Sequence, residues 1–370
     1  MRTWKKSAFL FYFCTDKVEP NTFLCVQVKK LVVFAGLILL CTLAQAQGGS
    51  DSGTSAGITI VPRVDFNPVF YGGTEKEVTL GNSSLYSLFE GNITDNLSFS
   101  ICNHWLSSEP KSLYQNTWHS DDVSWCDWAN LTYSFGNFYV TAGKDMVSMG
   151  GFEFDQYDFD VHPDLCSSLW NNFSCYQWGG KFGFMNEDET QGISLQLTSS
   201  PYSVRPFGDG LMTYSLQYSG SYGPLSLLYS TNLVGNGDGY DWLVTLGHAI
   251  EAGDFTFVLD ASNKVSDEYA ILRNGVSAYA TAVYNPSDNW EFLLRGGIDH
   301  ASTDIQERQG DLVFVNSPAY DSYTFGGAAH WFPLKDSKDL RLHAVAAYNT
   351  GMDMLSLTVG AIYYLSFPRK

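Results

Sequence analysis

No uninterrupted apolar stretch of bilayer-spanning length exists in this 370-residue chain. A transmembrane helix needs about 20 consecutive apolar residues, and the longest run, Leu31–Leu43, is too short. Positive charge is scarce: 21 Lys+Arg face 39 Asp+Glu, and six of the former lie within the first 46 residues. Beyond residue 46 the balance is 15 against 37, a net of −22. That surface repels nucleic acid, which is held by clustered Lys and Arg, so no nucleic-acid partner is expected. A disordered solvating chain is aromatic-poor, and 15% aromatic with only 16% charged residues excludes one. Past residue 46 a sustained 3.6-residue apolar period is also missing, so the chain is not a helical protein.

What is present begins with an export signal. Lys29 and Lys30 precede the apolar run, and "AQAQGG" follows it, with a small-residue cleavage site after Ala46. Residues 1–46 are therefore the signal-peptide region. Residues 1–27 make a poor signal alone, which places its working start near Val28. Cys41 invites lipidation, but Leu40 stands where that processing wants a small residue. Four cysteines remain after residue 46, Cys102, Cys126, Cys166 and Cys175. An even count in an exported chain permits two disulfides with three pairings open. Cys166 and Cys175 could staple one loop, and Cys102 and Cys126 flank another; free buried thiols are the alternative.

Period-two alternation runs through the rest. In "LSLTVGAIYYLSFPRK", Leu355, Leu357, Val359, Ala361, Tyr363, Leu365 and Phe367 alternate with Ser356, Thr358, Gly360, Ile362, Tyr364 and Ser366. "GISLQLTSS" and "LMTYSLQYSG" do the same. Tight turns rich in Gly, Asn, Asp and Pro, at 91–96, 136–137, 186–191, 219–223, 251–254 and 286–289, take turns with longer segments. Sixteen strands are predicted, near 58–70, 83–90, 96–106, 126–135, 138–145, 176–185, 192–199, 211–219, 224–231, 240–249, 255–262, 275–284, 290–299, 319–331, 339–349 and 354–367. An even number of antiparallel strands with short turns at one end and long loops at the other signals an all-β transmembrane barrel, its turns periplasmic and its loops extracellular. A secreted sandwich also alternates, but its outward faces are polar, whereas here one face is greasy throughout. Residues 47–57 are read as a short periplasmic segment and 58–367 as the barrel.

Parity then assigns faces. Apolar positions meet outer-membrane lipid, with Trp178, Phe182, Phe184, Trp242, Trp290, Phe292, Trp331 and Phe367 among them. Charged lumen positions are Arg63, Asp65, Lys181, Asp260, Glu291, Arg295, Asp299 and Arg341, four of each sign. Lys144 shares parity with Phe138, Val140 and Ala142, so it either snorkels at the rim or is turned inward by a bulge at Gly143. The longest connection, 146–174, carries Glu153, Asp155, Asp158, Asp160 and Asp164 without a Lys or Arg. Folded inward it would constrict the pore with acid, which favours cations.

Three phrases together, "WANLTYSFGNFYVTAGKD" (128–145), "MGGFEFDQYDFD" (149–160) and "GISLQLTSSPYS" (192–203), resemble bacterial outer-membrane porins related to the phosphate-selective porins, in their Bacteroides-like version. The resemblance extends in layout over most of 58–367. It implies a sixteen-stranded, homotrimeric channel with a long loop folded into the pore. The last strand, with Tyr363, Leu365 and Phe367, also resembles the signal read by the outer-membrane insertion machinery, although "PRK" follows the final aromatic. Phosphate selectivity does not transfer readily: an anion path needs a ladder of Lys and Arg, and the acidic loop points the other way.

Rival chemistries fare less well. Asp155, Asp158, Asp160, His162 and Asp164 could ligate Ca²⁺ as hard oxygen donors, but they lack the EF-hand pattern, and no metal or cofactor is expected. "WHSDD" places His119, Ser120, Asp121 and Asp122 side by side, yet sequence neighbours rarely converge as a triad; G-x-S-x-G and H-E-x-x-H are both absent. His104, predicted inward, has no identifiable partner. The chain is therefore read as a Gram-negative outer-membrane porin for small hydrophilic solutes or ions, not an enzyme. A structural or adhesive barrel acting through its loops is the alternative. Sixteen strands favour the channel, because a barrel of that size encloses an aqueous lumen.

Overall fold

The computed structural model describes residues 55–72, 75–80, 83–107, 126–203, 205–265, 272, 274–301, 305–309, 312–317 and 320–367. The described residues all belong to one compact unit, Gly48–Lys370. The signal region, most of the segment before the barrel, His119–Asp122 and the closing "PRK" lie outside the described residues.

Sixteen antiparallel strands close on themselves: β1 (Ser55–Tyr71), β2 (Ser84–Thr94), β3 (Leu97–Ser107), β4 (Cys126–Phe135), β5 (Phe138–Met146), β6 (Tyr176–Met185), β7 (Gln191–Ser199), β8 (Met212–Tyr222), β9 (Leu225–Gly235), β10 (Tyr240–Ala252), β11 (Phe255–Val265), β12 (Asn274–Ser287), β13 (Trp290–Ala301), β14 (Tyr320–Trp331), β15 (Leu340–Asn349) and β16 (Met354–Tyr363). Each strand pairs with its sequence neighbours. Closure comes from β1 against β16, with Arg63 opposite Ile362 and Tyr71 opposite Met354. In lipid every backbone N–H and C=O needs an internal partner, and a closed barrel supplies one with no free edge.

Every predicted strand is present, and differences are confined to ends and connections. A short strand, Glu75–Thr79, prolongs the β2 edge alongside Asn67–Tyr71. The final strand breaks at Tyr364, after which Leu365–Phe367 pairs with Ile58–Ile60. The long segment at 300–317 contains a hairpin, Ile305–Gln309 with Leu312–Ser317, in a sheet of its own. Two-residue turns at Gly136–Asn137, Gly223–Pro224 and Gly253–Asp254 put φ values of 56°, 61° and 63° on their glycines. Gly at the first turn position supplies the positive φ that a tight hairpin following the right-handed strand twist demands.

The two faces follow the pleat. On β16, Leu355, Leu357 and Val359 are exposed while Ser356, Thr358 and Ile362 are buried. Leu195 and Leu294, at 59% and 69%, are typical of the outward face. Aromatics form two girdles. Beside the short turns, Phe135 stacks on Phe138, Phe255 on Tyr284 and Trp290 on Trp331. Toward the other rim stand Trp178, Tyr214, Tyr240, Trp242 and Tyr323, all exposed. Amphipathic rings at both interfaces with aliphatic side chains between them are the profile of a bilayer-spanning barrel.

Leu195→Arg, at the middle of an outward face, is expected to destabilise the folded barrel by roughly 2–4 kcal/mol, whereas Thr132→Arg on the inner wall costs far less. Urea unfolding in lipid vesicles, followed by tryptophan fluorescence, checks the difference.

Candidate functional site

The segment between β5 and β6 turns into the barrel and crosses it. Buried loops must account for their own backbone polar groups, and here the wall does so with uncharged side chains first. Gln196 accepts from the Ser148 N–H at 2.6 Å and donates to the Met146 carbonyl at 2.8 Å. Gln217 donates to the Met149 carbonyl, Asn232 to the Ser148 carbonyl, and Ser230 Oγ accepts from Gly150 N. Asp260 then takes the N–H groups of Phe152 and Glu153 at 2.7 and 3.1 Å. These wall positions would be wet in an open tube; instead Asn232 is 0% exposed.

Glu153 is the next fixed point. It accepts from Arg295 at 2.5 Å and from both the N–H and the hydroxyl of Ser167, at 2.7 and 2.6 Å. Ser167 in turn caps a short helix, α1 (Ser168–Asn172), accepting from Trp170 N at 3.0 Å. Asp299 receives the Ser168 N–H together with the hydroxyls of Ser277 and Tyr279.

Farther along, Arg63 donates to the carbonyls of Phe159 and Val161 at 2.9 and 2.8 Å while its Nε holds Asp65 at 2.9 Å. Arg341 pairs with Asp160 at 3.3 Å, and Tyr364 donates to the same carboxylate. Asp164 accepts from Ser356 at 2.6 Å and Asn67 at 3.2 Å. His162 meets His330 at 2.8 Å, and His330 meets Glu291 at 2.8 Å.

Three apolar pads share the work. Met149, Phe154 and Phe173 pack with Val234 and Leu243 of β9 and β10. Phe159 packs with Val61, Tyr86 and Trp128, from β1, β2 and β4. Leu165 packs with Ala328, Val345 and Ala347 of β14 and β15. Burying a Phe or Leu contributes roughly 1.5–3 kcal/mol, so pads on three sides of the wall hold the insertion firmly.

All eight lumen charges read from parity sit on the inner wall, and most are anchors. Arg63, Asp260, Arg295, Asp299 and Arg341 bind the inserted segment directly, Asp65 orients Arg63, and Glu291 orients His330. Lys181 pairs with Asp145 at 2.8 Å. Of the five loop acids only Asp155 is exposed; Glu153 and Asp160 face arginines, Asp158 accepts from Tyr176, and Asp164 faces hydroxyl and amide. The acids therefore fasten the loop and do not form a free ring of charge. Burial pushes the Asp164 carboxyl up, and that of Asp158 to about 6.

Other predicted positions are placed as follows. Lys144 lies two residues before the end of β5, beside Trp178, and donates to the Cys126 carbonyl at 2.6 Å, so it serves the rim. Gly143 has φ 134°, and a Cβ there would lie 2.2 Å from the Ala129 carbonyl oxygen. The disulfide reading is corrected: among the described residues Cys102, Cys126, Cys166 and Cys175 form no disulfide. A register shift sets Cys126 opposite Asn103 while Cys102 faces Trp128, and α1 separates Cys166 from Cys175. The acids and His162 of the metal reading diverge to different wall partners; among the described residues no group of three or more ligands is arranged to hold a metal. His104 stacks on Tyr86 with centroids 4.0 Å apart. Tyr363 and Leu365 are half-buried and Phe367 is exposed.

Sequence reading missed the wall amides and hydroxyls and the inward apolar pads. Their signal was present: Val234, Leu243, Val345 and Ile362 fall at inward parity, where an open pore has no use for them.

No protein-family model matches the chain, and no curated protein matches it. Solved structures do. The outer membrane channel DcaP of Acinetobacter baumannii aligns with TM-score 0.55 and 13% identity, covering 85% of this chain and 99% of that one. The trimer form of OmpT, an outer membrane protein of Vibrio cholerae, gives 0.51 and 11% over 84% and 100%. A mutant of Rh. blastica porin gives 0.52 and 11% over 83% and 100%. At such identities the likeness is one of fold.

Gly150 tests the docking. A Cβ there would meet Ser230 N at 2.6 Å and the Thr245 carbonyl oxygen at 2.7 Å, both backbone atoms. Overpacking of this kind costs roughly 1–3 kcal/mol. Gly150→Ala is therefore expected to raise proteinase K cleavage within 147–175 by roughly tenfold. Gly180→Ala, whose added Cβ would be 3.5 Å from the Thr141 carbonyl oxygen, leaves the rate unchanged.

Proposed function

We propose that this chain is an outer-membrane channel through which small hydrophilic solutes or ions diffuse passively, with residues 147–175 setting the bore. The observation that carries the reading is a sixteen-stranded closed barrel whose inner wall is built of Ser, Thr, Asn, Gln and paired charges. A barrel that is only a structural post or an adhesive stalk has no need of a polar interior on that scale. Support also comes from the fold shared with the DcaP channel and Rh. blastica porin. On this reading the protein is not an enzyme, is delivered by its signal region, and is inserted with its last strand as the recognised end. The sequence resemblance to the phosphate-selective group and the trimer form of OmpT favour association of three copies.

Cation preference belongs to the same proposal, but its source moves. With four of the five loop acids engaged, exposed negative groups inside the barrel include Asp155 on the loop, Glu77 opposite Val69, and Glu90 and Glu251 near the short-turn end.

Purified protein in a planar bilayer under a KCl gradient is expected to give ohmic steps with a reversal potential favouring K⁺, unchanged in sign when phosphate replaces chloride. Glu90→Gln with Glu251→Gln moves the reversal potential toward zero. Folded protein that never conducts, with or without residues 154–165, overturns the channel.

A further inference from the structure

The inserted segment has two mechanically different parts. Residues 147–153 are tied down by Gln196, Gln217, Ser230 and Asn232, none of which titrates, and by Asp260. The Glu153–Ser167 bonds then bring the two ends of the stretch 154–165 together, as the neck of a compact Ω-loop does. That flap can leave the wall without undoing its neck. Its wall contacts combine the apolar side chains of Phe154, Phe159 and Leu165 with charged and titratable groups: Arg63, Arg341 and His330 on the barrel, and Asp158, Asp160, His162 and Asp164 on the flap.

The proton positions in this contact can be assigned by elimination. Glu291 is a carboxylate and only accepts, so His330 Nδ1 carries the hydrogen of their 2.8 Å bond. Neutral His330 then has a bare Nε2, and the hydrogen in the 2.8 Å bond between the two rings belongs to His162 Nε2. Neutral His162 is left with a bare Nδ1, which faces the Arg63 guanidinium at 3.4 Å. The direction is Arg63 to His162 to His330 to Glu291. One more proton has two places to go. On His162 Nδ1 it confronts the Arg63 N–H; on His330 Nε2 it confronts the His162 N–H. Each sets donor against donor and adds a positive charge beside Arg63 and Arg341.

We infer that residues 154–165 form a proton-released flap, docked against the barrel wall only while His162 and His330 are both neutral. The inference rests on the channel reading only for its consequence, a wider bore when the flap leaves. Burial, then Arg63, Arg341, His330 and His343, hold the His162 imidazole well below its ordinary value when docked. A free imidazole titrates near 6.5. The undocked state therefore binds more protons below that pH, so docking is strong at and above neutrality and weakens as pH falls through about 6.5. The remaining charged neighbours are Asp65, which holds His343 at 2.9 Å, and the flap's own acids. Asp158 and Asp164 are pushed up when docked, Asp158 to about 6, so they pull the other way from near pH 6 downward, an effect common to wild type and His162→Gln. Release driven by histidine thus has its window between about pH 7.5 and 6.

The test measures proteinase K cleavage within 154–165 on folded protein in vesicles, expressed as the ratio of wild type to His162→Gln at each pH. Glutamine offers an acceptor and a donor without titrating, and the ratio cancels the pH dependence of the protease. A rise of roughly fourfold per histidine freed between pH 7.5 and 6.0 is expected. A ratio constant with pH overturns the flap. His162→Asn, with the same expected ratio, serves if the glutamine variant does not fold. Bilayer recordings separate the two claims. Open events that become roughly fourfold more frequent at pH 6.0 in wild type and not in His162→Gln support both. A rising cleavage ratio in protein that never conducts leaves the flap standing and removes the channel.

Discussion

Each peptide group between β1 and β16 has to find its partner inside the molecule, because the hydrocarbon around the barrel offers none. The pairing of Arg63–Tyr71 with Met354–Ile362 is the step that makes this possible. Without it the barrel is a sheet with two bare edges. Much else follows from the closure. A period of two sends alternate residues outward and inward, so the outer face becomes apolar with aromatic rims. The inner face is freed from lipid and can carry chemistry.

The inside faces the same problem in a second form. A segment with little regular structure lies across the lumen, and its N–H and C=O groups need partners as the strands' groups do. The barrel answers with side chains: amides from β7 to β9, carboxylates from β11 and β13, guanidinium groups from β1 and β15. This is why positions such as Asn232 and Asp65 are 0% exposed although they point into the barrel. It also explains apolar residues where a plain water-filled tube would carry polar ones. Val234, Leu243, Val345 and Ala347 give the loop's Phe and Leu side chains somewhere dry to sit.

The fold was legible because its determinants are local. Strand faces are written in a repeat of two, and turns in Gly-Asn, Gly-Pro and Gly-Asp pairs. Parity alone placed Arg63, Asp65, Asp260, Arg295, Asp299 and Arg341 on the inner wall. What parity cannot supply is a partner. That Arg295 meets Glu153, or that His162 of the loop meets His330 and through it Glu291, depends on where a long connection lands, and those residues are 142 and 168 positions apart. The cysteines carry the same lesson: nearness along the chain suggested bridges, but no disulfide forms, with a register shift setting Cys126 opposite Asn103 and α1 lying between Cys166 and Cys175.

The charge inside the barrel has to be counted after pairing. Five acids in one loop read as a cation filter only while they face water. Once Glu153 and Asp160 are opposite arginines, their field at a distance largely cancels, and what they contribute is attachment. Breaking such a buried pair from one side is strongly unfavourable because the survivor is left unpaired in a poor dielectric. The arginines and acids are therefore locked to each other, and the inner wall cannot change its charge without also moving the loop. Any ion preference has to come from groups outside that arrangement, among them exposed Asp155 and Glu77, and Glu90 and Glu251 near the short-turn mouth. Position of the loop and sign of the mouth are thus set by different residues, and one can be altered without the other.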